Sequence, residues 1–131
     1  MIRATLGKRV IGLIQHYAAE VNLAAPDTAF VEAQEYFPPI AAKRALPMEQ
    51  AAAAFEHLGN LVQVLSRPDY GEHESRARAR IAQRDVEDWP VIACALALGC
   101  PIWTEDRDFF GTGVATWTCD RVEIYLAGRS A

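Results

Sequence analysis

Apolar residues at Val10, Leu13, Ile14, Tyr17 and Val21 recur at the spacing of one helical face, which predicts an amphipathic helix from about residue 4 to residue 19. Residues 21–24 then read as a short strand, ended by Ala25-Pro26. Asp27 is placed to cap a second helix whose apolar face is Phe30, Ala33, Phe37 and Ile40, with Pro38-Pro39 closing or distorting it. Pro47 opens an alanine-rich helix over residues 48–58, which ends at Gly59 and leads into a strand at 61–65. A turn at 67–71, a charged helix at 72–83 and a buried helix at 88–98 follow, the last with Ile92, Ala95, Leu96 and Gly99 along one stripe. Strands are expected at 101–104 and, after the turn Phe110-Gly111-Thr112-Gly113, at 114–118; residues 122–126 form a short final element. Strands alternating with helices imply an α/β fold with a mostly parallel sheet covered on both faces.

Composition narrows this picture without changing it. A chain of 131 residues with 51% hydrophobic content is expected to form one domain over residues 1–131. No apolar run approaches the roughly 20 residues of a membrane helix and no secretory leader pattern is present, so no membrane partner and a cytoplasmic location are expected. Cys94, Cys100 and Cys119 are odd in number and show no Cys-x-x-Cys spacing, which argues for reduced thiols and against a zinc site.

The chemistry is concentrated in two acidic groups. Asp85, Glu87 and Asp88 stand where the buried helix starts; Glu105, Asp106 and Asp108 follow the strand at 101–104. In an open α/β sheet, ligands bind beyond the carboxyl ends of the strands, which favours Asp106 and Asp108 as site residues. Clustered carboxylates without neighbouring Cys or His ligands are hard oxygen donors suited to Mg²⁺ or Mn²⁺. The competing readings are structural: Asp88 as a helix cap, and Asp106 and Asp108 as turn formers. A net charge of -4 argues against broad electrostatic coating of nucleic acid, yet the acidic excess lies where a cation would neutralise it. Arg76, Arg80 and Arg84, at a spacing of four, share a helical face that is either a phosphate-binding rim or a solvated surface. Thr104 is placed to orient a carboxylate or a phosphate. Trp89, Trp103 and Trp117 read first as core, with stacking on bases the alternative. His16, His57 and His73 are scattered and form no general-base pairing.

Arg84-Asp85-x-x-Asp88-Trp89-Pro90-x-x-Ala93, joined to Pro101-Ile102-Trp103-Thr104-x-Asp106-x-Asp108-Phe109 and followed by Gly111 and Gly113, resembles the PIN domain. Ala25-Pro26-Asp27-x-Ala29-Phe30-x-Glu32-Ala33 extends the similarity over nearly the whole chain. The resemblance implies a three-layer α/β fold and a metal-dependent ribonuclease of the kind found as toxins in toxin-antitoxin pairs. It further implies a metal site built from Glu32, Asp88 and Asp106, with Asp108 as an added ligand or water-positioning carboxylate and Asp85 a weaker candidate. RNA as substrate, an antitoxin protein as partner and a homodimer come with it.

One departure stands beside the match. The family opens with an apolar strand ending in an Asp-x-Asn type sequence, whereas residues 1–7 here already resemble the start of the first helix. The central strand and its aspartate are therefore expected to be missing from this sequence, as from a misassigned start or a shortened product. Dimerisation, strand exchange or a rearranged sheet would then fill the gap. The alternative function is a catalytically incomplete domain that binds a protein or RNA without cutting it. A phosphoacceptor receiver domain needs a central-strand aspartate and a lysine after the last strand, and neither is found. Rossmann, P-loop, serine-hydrolase and zinc readings lack their motifs.

Overall fold

The computed structural model describes residues 8–17, 19–43 and 47–130. The chain divides into two compact units, Met1–Val64 and Leu65–Ala131. Residues 1–7, where the sequence places a helix start instead of a first strand, lie outside the described residues.

In the first unit, helix α1 (Lys8–Tyr17) buries Leu13, Ile14 and Tyr17, the expected apolar face. Strand β1 spans Leu23–Pro26, two residues later than the periodicity suggests, and Pro26 ends it as its last residue. A proline is tolerated there because a strand end has no ladder bond to lose. Helix α2 (Asp27–Lys43) begins at once, with Asp27 Oδ1 accepting the Thr28 N–H at 2.9 Å. It runs on through Pro38 and Pro39 to Lys43, so the prolines do not close it, although each takes away one N–H donor and crowds the carbonyl four residues before it. Helix α3 (Met48–Leu61) runs past Gly59 straight into strand β2 (Val62–Leu65), which pairs with β1.

The second unit is organised around one buried helix. Ser66 and Asp69 form a small reciprocal cap, in which the Ser66 N–H and hydroxyl both donate to Asp69 Oδ2 at 2.8 and 3.0 Å. They turn the expected loop into the one-turn helix α4 (Arg67–Tyr70). A 3₁₀ turn over Gly71–His73 leads to α5 (Glu74–Ile81), whose Ala77 and Ile81 are fully buried. After a second 3₁₀ turn (Val86–Asp88) comes α6 (Trp89–Leu98), which packs against α4, α5 and strand β3 (Ile102–Trp103). α6 is apolar on nearly every side and buries Trp89, Pro90, Ile92, Ala93, Cys94 and Ala95, as a core helix must. It ends where Gly99 takes the left-handed conformation, φ 62°, and returns its N–H to the Ala95 carbonyl. Ile92→Ala is expected to cost about 2–5 kcal/mol in chemical denaturation, because Ile92 is 0% exposed and its truncation both loses buried apolar atoms and leaves a cavity.

β3 pairs in parallel with β4 (Thr116–Trp117), Ile102 opposite Thr116 and Trp103 opposite Trp117. The Ile102 N–H donates to Ala115 O at 2.8 Å and the Thr104 N–H to Trp117 O at 3.0 Å. Parallel neighbours require a crossover. Here that crossover is residues 104–115, the segment that carries Glu105, Asp106 and Asp108. Helix α7 (Val122–Ser130) completes the unit, longer than the expected 122–126 and anchored by buried Val122 and Leu126 one turn apart. Among the described residues the strands thus form two pairs, β1–β2 and β3–β4, within a mixed helix and strand chain of the α/β kind. No helix among them is long and apolar enough to cross a membrane.

Candidate metal centre

Asp88, Asp106 and Asp108 converge: each offers a carboxylate oxygen, and the three oxygens lie within 4.8 Å of one another. Asp88 and Asp108 are half-buried and Asp106 is exposed. Asp88 comes from the start of α6, the other two from the crossover just past the carboxyl end of β3.

The capping question resolves locally. Asp88 holds the N-cap position of α6 but makes no side-chain cap hydrogen bond. The capping work falls to Asp85, whose Oδ1 accepts the Glu87 N–H at 3.2 Å at the preceding 3₁₀ turn. Asp88 still meets the favourable end of the α6 dipole, which stabilises its negative charge. Asp106 does shape its turn: Oδ1 accepts the Asp108 N–H at 2.9 Å and opens the 3₁₀ turn Arg107–Phe109. A carboxylate has about four acceptor positions, so this bond leaves capacity for a cation. The turn-former and ligand readings are therefore compatible at Asp106. Thr104 contributes from one step back, its hydroxyl accepting the Asp106 N–H at 3.0 Å.

Glu105, to which the sequence assigns no role, accepts the Cys119 N–H at 2.6 Å and so ties the crossover to the segment after β4. Phe109 is buried beneath the turn, and its carbonyl accepts the Thr112 hydroxyl at 2.8 Å. The arginine face divides. Arg80 Nη1 donates to Thr112 O and Arg84 Nη1 to Asp108 O, both at 2.8 Å, and Arg84 Nη1 also reaches Phe110 O. Arg76 is exposed and makes no hydrogen bond or ion pair among the described residues. In the sequence this arrangement shows only as two arginines four apart and, beyond α6 and β3, two glycines two apart, and spacing alone does not say that they meet.

Trp89 is core, 5% exposed, edge-on to Tyr70 and with the guanidinium groups of Arg67 and Arg78 at 5.3 and 5.1 Å from its ring. It is closed to bases. Trp103 and Trp117 are half-buried on the paired strands, and Trp117 Nε1 is buried without a hydrogen-bond partner among the described residues. Glu32 stands exposed on α2 in the first unit, and its assignment to the metal rests on the resemblance alone.

The donor set fits a hard divalent ion. Three carboxylates supply oxygen, with neither imidazole nor thiolate among them. Cys94, Cys100 and Cys119 are not joined in disulfides, and burial pushes the Cys100 thiol up, away from the thiolate form that binds soft metals.

A family model described as PIN domain matches residues 1–127. No curated protein and no solved structure matches the chain. With the α/β fold, the aspartates gathered beyond β3 and a match over nearly its full length, the chain belongs to the PIN-domain family, whose members are generally nucleases that typically use a divalent metal.

Proposed function

We propose that this protein is a Mg²⁺- or Mn²⁺-dependent endoribonuclease of the toxin-antitoxin type, acting in the cytoplasm and restrained by an antitoxin protein. The observation that supports it is the meeting of Asp88, Asp106 and Asp108 within 4.8 Å at the carboxyl end of β3. Asp88 and Asp108 would hold the ion from the half-buried side and Asp106 from the exposed side, where an RNA phosphodiester has access. The chemistry such an ion supplies is activation of water near neutral pH and neutralisation of charge on the phosphate during in-line displacement. The polypeptide's part is positioning: the α6 dipole supports Asp88, and the Thr104 hydroxyl and the Asp106 turn orient the crossover. A homodimer is the assembly this reading carries, to be checked by light scattering.

Three like charges gathered at one place repel, and a bound cation relieves the repulsion in the folded state only. Mn²⁺ at a hundred times its Kd is therefore expected to stabilise the fold by about 2.7 kcal/mol, roughly 10 °C in Tm, with Ca²⁺-free and chelator-treated samples as baseline. The same samples should cleave single-stranded RNA with Mn²⁺ and not with chelator. A Tm indifferent to Mn²⁺ and Mg²⁺ would remove the metal from this reading. Metal binding without any cleavage across varied RNA substrates would favour a domain that binds and does not cut.

A further inference from the structure

Resting on the reading of the three aspartates as a divalent-metal site, we propose that Arg84 is a positioning residue for that site, holding the Asp108 carboxylate in place through the Asp108 backbone.

Arg84 leaves the turn after α5, where its N–H donates to Ile81 O at 3.0 Å, and its guanidinium crosses to the carbonyls of Asp108 and Phe110. Arg80, one helical turn earlier, takes the next alternate carbonyl, Thr112 O. Three carbonyls of the crossover, at 108, 110 and 112, are thereby tied to one short stretch of chain. At Asp108 the consequence is specific. Its N–H is committed to Asp106 Oδ1 at 2.9 Å and its C=O to Arg84 at 2.8 Å, so both polar groups of its backbone are pinned. The direction of its Cα–Cβ bond follows, and only the side-chain torsions remain to place the carboxylate.

The crossover is shaped to receive these guanidinium groups. Gly111 and Gly113 have φ of +87° and +84°, and a Cβ at Gly111 would lie 3.2 Å from Arg84 Nη2, while one at Gly113 would collide with Arg80 Nη1. Bare backbone is what lets the two cations approach this closely. Their positive charge alone would oppose a metal cation, so electrostatics and positioning predict opposite effects of removing Arg84. That opposition makes the proposal testable.

The experiment titrates Mn²⁺ alone, by calorimetry and by the Mn²⁺ spin-resonance signal, into the wild-type chain and into Arg84→Met, Arg84→Lys, Arg84→Gln and Gln83→Ala. Amide exchange over residues 106–113 is read in chelator, free of metal. Arg84→Met is expected to weaken Mn²⁺ binding about tenfold, the scale seen when a group that orients a metal ligand is lost. Arg84→Lys should fall between it and wild type, Gln83→Ala should match wild type, and the Asp108 and Phe110 amides should exchange faster in Arg84→Met. Arg84→Gln keeps a polar group at the position and gives the same readout should Arg84→Met fail to fold. Unchanged or tighter Mn²⁺ binding in the Met and Gln variants overturns the proposal while the metal site stands. A wild-type chain that binds no Mn²⁺ overturns the metal reading, and the role of Arg84 with it.

Discussion

Asp106→Asn is expected to lower Mn²⁺ affinity and metal-dependent cleavage by about a hundredfold, equivalent to roughly 3 kcal/mol, while the fold in chelator stays close to wild type. The asymmetry follows from the two tasks of this side chain. Its Oδ1 accepts the Asp108 N–H, and the carboxylate stands within 4.8 Å of the other two. Asparagine keeps a carbonyl oxygen for the turn and gives up the negative charge. Asp106→Ala removes both, so it should lose the turn as well and fall in stability by about 1 kcal/mol, the usual worth of such a bond. Asp88→Asn should repeat the loss of metal without a capping penalty, since Asp88 makes no side-chain cap bond and Asp85 does that work. Full Mn²⁺ affinity in both asparagine variants would detach these residues from the mechanism.

Gly113→Ala should be the most damaging small substitution in the crossover, at about 2–3 kcal/mol in denaturant unfolding. Two costs combine. At φ +84° an L-residue is strained by about 1–2 kcal/mol. The new methyl also displaces the Arg80 guanidinium, whose bond to Thr112 O contributes about 1 kcal/mol. The second cost depends on Arg80 and the first does not. In an Arg80→Ala background the same glycine substitution should therefore cost only the backbone share. Strict additivity of the two substitutions would show that glycine and arginine do not meet in solution. Gly111→Ala, whose Cβ would stand 3.2 Å from Arg84 Nη2 at φ +87°, should be milder in contact and similar in strain.

Much of the second unit was legible from residue order because its determinants are local. The apolar run up to Gly99 predicts α6, which is present and ends with Gly99 in the left-handed conformation. β3 and the crossover follow from Pro101, the short apolar stretch and the acidic turn, which place Asp106 and Asp108 past the end of a strand. Other local features went unread. Ser66-x-x-Asp69 is a capping pattern that converts an expected turn into α4, and of the closing or distorting expected at Pro38-Pro39 the closing does not occur, since α2 runs on to Lys43. The family, too, could be recognised from motif residues that lie close together in the chain, and the match over residues 1–127 agrees.

What residue order by itself determined is most of the elements, the carboxylate chemistry and its place at the end of a strand, because helix periodicity, capping and turn formation act over a few neighbouring residues. What only the tertiary structure decided is which side chains meet. Asp88 presents its carboxylate to the cluster while Asp85 spends its own on a cap, and Arg80 and Arg84, which by spacing face outward with Arg76, bond to the crossover instead. Those choices depend on α6 packing against α5 and β3, which brings segments distant in sequence to within a hydrogen bond of one another.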